Sequence, residues 1–184
     1  MTTPQPPLDR AQPERPDVDD GGSDPALVQS TIASGIEVRV QLQPIDIQSE
    51  IMPITRNPNV GAIVNFLGVV RQCGDCDDVV ALELEHYPGM TEQSFLSIVE
   101  EATARWCLDA VKIVHRAGRV ALGDAVVLVV VAAPHRGPAF DACEFLMDFL
   151  KAHAPLWKKE IHRDGTFRWV EAKTRDEHSM LRWG

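Results

Sequence analysis

From residue 36 the chain alternates: Ile36, Val38, Val40 and Leu42 are apolar, while Glu37, Arg39, Gln41 and Gln43 are polar. That period of two predicts a half-buried strand. Pro44 ends it, and 46–55 is weakly helical in pattern. Gly61 to Val70 is rich in β-branched residues and predicts a buried strand, followed by a polar loop over 72–78. Val79 to His86 predicts another strand, running into a Pro88-Gly89 turn. Thr91 is the expected N-cap of a helix over 92–106, whose Leu96, Val99, Thr103 and Trp106 recur at helical spacing.

Val111 to Arg116 predicts a further strand, and Gly123-Asp124 a turn into Val126–Val131, whose unbroken apolar character suits a central strand. A second helix is expected over 138–153, with Phe140, Cys143, Met147 and Leu150 on one stripe. Pro155 must stop it, because its ring would clash with the carbonyl of Lys151. Glu160–Arg163 and Thr166–Ala172 flank Asp164-Gly165, a strong hairpin signal. The expected class is α+β: a largely antiparallel sheet with two main helices and a C-terminal hairpin.

Residues 1–25 depart from this pattern, holding six of the 13 prolines and six acids. A segment so poor in large apolar side chains cannot offset its ordering entropy. The expected organisation is a disordered tail over 1–35, one domain over 36–175 and an extension over 176–184.

Charge narrows the function. The net charge of -9 argues against general binding of nucleic acid or an anionic membrane, which calls for a positive excess. The acidity is uneven: residues 72–110 carry one arginine against nine acids, whereas 111–175 carry 11 bases against seven acids. The longest apolar run, Ala125 to Ala133, is nine residues, about half a membrane span. Four cysteines do not make a disulfide scaffold, so a cytoplasmic protein with reduced thiols is expected. Cys73-x-x-Cys76 lacks both a helix-start context and two further ligands for zinc, and reads as an ordinary loop pair.

The basic half supplies the candidate chemistry. His135-Arg136 lies between the apolar strand and the second helix, where anions commonly bind, although a solvated loop pair fits equally well. Lys151 lies at the margin of the helix stripe and alone reads as a snorkelling lysine. Lys158 and Lys159 follow past the Pro155 break, and Lys151 and Lys158 can converge on one pocket. Arg71 ends a strand, where a guanidinium could clamp a phosphate. His115-Arg116 reads as structural, and Glu83 and Glu85 as a solvated sheet face. The residues alone therefore suggest one anion site built from Arg71, His135, Arg136, Lys151 and Lys158.

At these same positions the sequence resembles the catalytic large subunit of molybdopterin synthase. The resemblance is carried by FLGVVR (66–71), LELEHYPGMTE (82–92), VHRAGRVALGD (114–124), APHRGPAF (133–140), FLMDFLKAHAPLWKKE (145–160) and FRWVEA (167–172). It implies a sulfurtransferase that converts cyclic pyranopterin monophosphate to molybdopterin, a dithiolene. The two sulfurs come from a thiocarboxylate on the C-terminal Gly-Gly of a small ubiquitin-like partner. It also implies a homodimer of large subunits within a heterotetramer, and no metal or other cofactor.

By position, the resemblance makes Lys151 and Lys158 catalytic. It places Val69, Val70, Arg71, His135, Arg136, Lys159 and Glu160 with them around the substrate. His135 and Arg136 can reach the site from the other protomer. Fixed cations suit a reaction in which sulfur attack and opening of a cyclic phosphate accumulate negative charge. The alternative is a non-catalytic scaffold that binds the small partner, which the retention of all five cations disfavours.

Overall fold

A computed structural model of the chain describes residues 35–72, 78–170 and 181–183. The expectations for the tail over 1–34, for Cys73 and Cys76, and for 171–180 lie outside the described residues. In chain order the elements are β1 (Ile36–Gln41), α1 (Ile47–Ile51), β2 (Ala62–Val69), β3 (Val79–His86), α2 (Met90–Arg105), β4 (Ala110–Arg116) and β5 (Gly118–Ala121). They continue with β6 (Ala125–Ala133), α3 (Arg136–His153), β7 (Leu156–His162) and β8 (Phe167–Val170).

The fold is α+β with two main helices, as the pattern predicts, and its strands divide between two four-stranded sheets. The first has the order β1-β4-β6-β2 and the second β5-β3-β7-β8. β1 and β4 are parallel, and the other described pairings are antiparallel.

β6 is central in the first sheet, and Val129 to Ala133 are fully buried, which is why that run is apolar at every position. On one face of this sheet Phe95, Val99 and Ala102 of α2 and Phe145 and Leu146 of α3 pack with Val38, Val111, Ile113 and Val129. Ile47, Ile51 and Ile54 cover the opposite face over Val114, Leu128 and Val130. Each such fully buried aliphatic or aromatic side chain contributes about 1.5–3 kcal/mol.

Three local expectations are corrected, and one strand is additional to them. β2 is an edge strand rather than a buried one, so Phe66 and Val69 are exposed. β5 has no sequence signal, because four residues with only Val120 buried show no period. Phe140, placed on the buried stripe of α3, is 60% exposed; the buried face runs instead through Ala139, Ala142, Cys143, Leu146 and Leu150.

The N-cap of α2 is Gly89 rather than Thr91. At φ 84 the position suits glycine, and the carboxylate of Glu92 accepts its N–H at 2.7 Å. Thr91 sits inside the first turn, fully buried. Its hydroxyl accepts from the Tyr87 N–H at 3.2 Å and donates to the Pro155 carbonyl at 3.3 Å. The start of α2 is thereby tied to the link between α3 and β7.

Leu181–Trp183 forms a short 3₁₀ turn that returns to the helices. The Trp183 ring meets Trp106 and Phe145 edge-on, with centroids 5.9 and 5.5 Å away. Its Nε1 donates to Asp148 at 2.8 Å, and Arg105 donates to its carbonyl at 2.6 Å. Trp183→Ala removes a half-buried aromatic and is expected to cost about 2–3 kcal/mol. Urea unfolding measures this, and a loss under about 0.5 kcal/mol, the size of a neutral surface change, would contradict the docking.

Candidate active site

α3 returns antiparallel to β6 and packs along β6 and β2. β2 itself runs from Ala62, opposite Ala133, to Val69, opposite Ala125. The thiol of Cys143 lies against the backbone of Phe66, which aligns the middle of the helix with the middle of the strand. Eight residues of helix from there to Lys151 rise about 12 Å. Four residues of strand from Phe66 to Val70 rise about 13 Å. Lys151, in the last turn of α3 and exposed, therefore lies level with the end of β2 and with Arg71.

The second sheet meets this end through Val70. Its buried side chain packs with Leu84 and Val120, and Gly123 and Asp124 hold its backbone at 2.8 and 2.9 Å. Leu84 lies directly opposite Lys158 on β7. Arg71, Lys151 and Lys158 thus gather at one end of the molecule. Val69, half exposed, borders the same end.

His135 and Arg136 lie elsewhere. His135 is the N-cap residue of α3, its side chain not engaged in capping, and Arg136 opens the helix; both are exposed. Gly61 seats the turn before them, since a Cβ there would come within 2.2 Å of the Pro134 carbonyl oxygen. Arg136 and Lys151 occupy the two ends of one unbroken helix, about 22 Å apart at 1.5 Å per residue. The single-chain anion site suggested by the residues alone is corrected accordingly. One chain brings three of its five cations together and holds the other two at the far end of α3.

Consecutive residues of β7 alternate faces. Lys158 and Glu160 share the inner face with Leu84 and Leu82, their partners on β3. Glu160 is buried and accepts from Arg168, whose Nη2 lies at 2.8 Å. Lys159 points to the outer face, where it pairs with Glu85 and stands 4.6 Å from the Trp169 ring centroid. The structure does not bring Lys159 to the face that Lys158 occupies. Glu83 and Glu85 border this outer face as well.

Sequence reasoning left His86 and Glu92 unassigned and read His115 as structural. His115 is buried, stands 6.1 Å from the Phe95 ring, and its Nδ1 lies 2.7 Å from the Arg116 carbonyl. Burial pushes its pKa down to about 4, with the charges of Lys158 and His86 acting in the same direction against the Arg116 hydrogen bond. His86 Nε2 lies 3.9 Å from the Glu92 carboxylate. The one available signal for this group was that EHYPGMTE and VHR carried the family resemblance while no chemistry used them. Cys143 is a buried thiol pushed up to about 11, chiefly by burial, and stays protonated. Among the described residues, no group of three or more His, Cys, Asp or Glu side chains could hold a metal ion.

The depressed pKa of His115 has a stability consequence. The unfolded imidazole, near 6.5, binds a proton before the folded one does. Stability from this group is therefore complete above pH 6.5 and falls as pH drops toward 4. Between pH 7.5 and 5 the loss is expected to be about 2 kcal/mol. Denaturant titrations of the protein and of His115→Gln at both pH values measure it. An equal acid loss in the variant would contradict the assignment.

Fold and site together define a two-sheet α+β protein whose candidate site residues are divided between the two ends of one helix. Comparison with known proteins is consistent with this. The family model described as MoaE protein matches residues 40–153. The molybdopterin synthase catalytic subunit of Ralstonia nicotianae is 47% identical over 148 residues, covering 80% of this chain and 84% of that protein. Its counterpart from Escherichia coli is 45% identical over 141 residues, covering 77% and 93%. The solved structure of the molybdopterin biosynthesis MoaE protein from Burkholderia ambifaria superimposes with a TM-score of 0.68 at 45% identity, covering 83% of this chain and 99% of that one. The chain belongs to the MoaE protein family.

Proposed function

We propose that this chain is the catalytic subunit of a molybdopterin synthase. It transfers two sulfurs to cyclic pyranopterin monophosphate from the C-terminal thiocarboxylate of a small ubiquitin-like subunit. Membership of the family and relatives named as catalytic subunits support the reaction. The observation that carries the site is the gathering of Arg71, Lys151 and Lys158 where β2, α3 and β7 end or meet.

In this reading Lys151 and Lys158 flank the thiocarboxylate, and Arg71 receives the phosphate beside Val69 and Val70. An ammonium held there stabilises the charge that builds as sulfur attacks and the phosphate ring opens. The same group as a neutral amine can accept or return a proton. Glu160 fixes the β7 segment through Arg168, and Lys159 braces its outer face.

The distance along α3 bears on assembly. His135 and Arg136 lie too far from Lys151 of their own chain to touch the same small molecule. We assign them to the site of a second copy, so that the working unit is a homodimer with a small subunit serving each centre. No helix among the described residues is long and apolar enough to cross a membrane, and we place the enzyme in the cytoplasm. The deciding assay supplies purified protein with thiocarboxylated small subunit and cyclic substrate, and detects the dithiolene product. Capture of the small subunit without any sulfur transfer would instead mark a scaffold.

A further inference from the structure

We propose that His86, held by the buried carboxylate of Glu92, is a positioning residue that sets the orientation and charge state of the Lys158 amine. The inference rests on the reading of Lys158 given above.

The sheet register carries it first. Lys158 lies opposite Leu84 and Leu156 lies opposite His86 on the paired strands β7 and β3. Lys158 and His86 are therefore diagonal neighbours on one face, at a separation that long side chains span. The same face holds Glu160 two residues along β7. Glu160 is committed to Arg168 of β8.

Glu92 comes to this face from α2, its side chain 3% exposed. One carboxylate oxygen accepts the Gly89 N–H at 2.7 Å, and the other lies 3.9 Å from His86 Nε2. A buried carboxylate needs a cationic or donor partner; Gly89 supplies one donor, and the His86 ring is the side chain beside the other oxygen, at ion-pair rather than hydrogen-bond distance. His115 closes the group from β4, and its imidazole senses the charges of both Lys158 and His86. The groups around Lys158 are thus His86 of β3, Glu92 of α2, His115 of β4 and Glu160 of β7 with Arg168 of β8 behind it, together with the cations Arg71 and Lys151 gathered at the same end.

The backbone is fixed around them. The Thr91 hydroxyl reaches the Pro155 carbonyl, so the turn carrying Glu92 also holds the chain just before β7. Burial keeps His115 neutral, and Arg168 takes up Glu160. Arg71 and Lys151 disfavour a further ammonium by like charge; in this inference Glu92, acting beside the His86 ring, is the anion that opposes them.

The test compares the protein with Glu92→Gln, His86→Gln and Lys158→Ala, each with the thiocarboxylated small subunit, over roughly pH 6 to 10 around the titration range of a lysine. Glu92→Gln keeps the oxygen that accepts the Gly89 N–H. Its limb of the kcat profile is expected to move toward acid by about half a unit or more, because the anion favouring the ammonium is gone. His86→Gln is expected to lower kcat about tenfold, with KM for the cyclic substrate within about twofold. Neither change should lower the residual rate of Lys158→Ala further. If Lys158→Ala is inactive while both other variants follow the profile of the unmodified protein, His86 and Glu92 have no such role. The same holds if their losses persist undiminished on the Lys158→Ala background. Unchanged turnover in Lys158→Ala would overturn the reading of Lys158, and this inference with it.

Discussion

Lys151→Ala is expected to lower the rate of dithiolene formation by about 10²–10⁴-fold, the range for loss of a positioned acid, base or charge stabiliser. The side chain lies exposed in the last turn of α3, where alanine is a better helix former than lysine. Thermal unfolding should accordingly shift little, which separates chemistry from folding. Lys151 also lies level with Arg71 at the end of β2, so the substitution removes one of three cations gathered at that end of the molecule. Single-turnover assays with pre-formed thiocarboxylate separate transfer from partner binding. A variant that transfers sulfur at the unmodified rate would remove Lys151 from the catalytic set.

The second large effect concerns the far end of α3. On the proposed homodimer, His135→Ala combined with Arg136→Ala should inactivate the enzyme, because each centre would lose the pair assigned to it from the other chain. Mixing that variant with Lys151→Ala should restore activity. In a mixed dimer one centre combines the intact lysines of the first chain with the intact His135-Arg136 pair of the second. Random reassortment makes about half the dimers mixed, each with one working centre, so recovery of about a quarter of the unmodified rate is expected. The separation of about 22 Å along an unbroken helix is the reason to expect this outcome. Failure to recover activity after verified exchange would place the complete site within one chain.

Much of this arrangement is legible in the residue pattern because several elements carry a single dominant period. β1 alternates cleanly, β6 is apolar throughout, and Asp164-Gly165 marks the final hairpin. Pro155 ends α3 where backbone sterics require it, at His153. The pattern is silent where tertiary context decides. Nothing in Gly61–Val70 says that β2 lies at a sheet edge, since an edge strand and a buried strand share the same β-branched composition. Four residues cannot announce β5. The capping preference of Thr91 yields to the positive φ of Gly89, and its hydroxyl serves Tyr87 and Pro155 instead.

The candidate site divides in the same way. Its cations are visible as residue types in a basic half of the chain, and their family resemblance gives each a role. Their distribution over two ends of α3 follows only from counting helical rise against strand register. His86, Glu92 and His115 sit in separate segments of ordinary appearance. Only the packing of α2 across the two sheets assembles them.

The odd-even wiring of β7 also constrains how this protein can change over evolutionary time. Lys158 and Glu160 look inward and Lys159 looks outward only because β7 pairs with β3 in one register. A single-residue insertion or deletion between Pro155 and Lys158 would exchange those two sets of side chains. It would place the Lys159 ammonium inside and strand Lys158 on the face of Phe167 and Trp169. Point substitutions at this strand can be graded in their effects, whereas length changes there are all-or-none. The hairpin tip at Asp164-Gly165, beyond the paired segment that carries Lys158, is where added or lost residues can be absorbed.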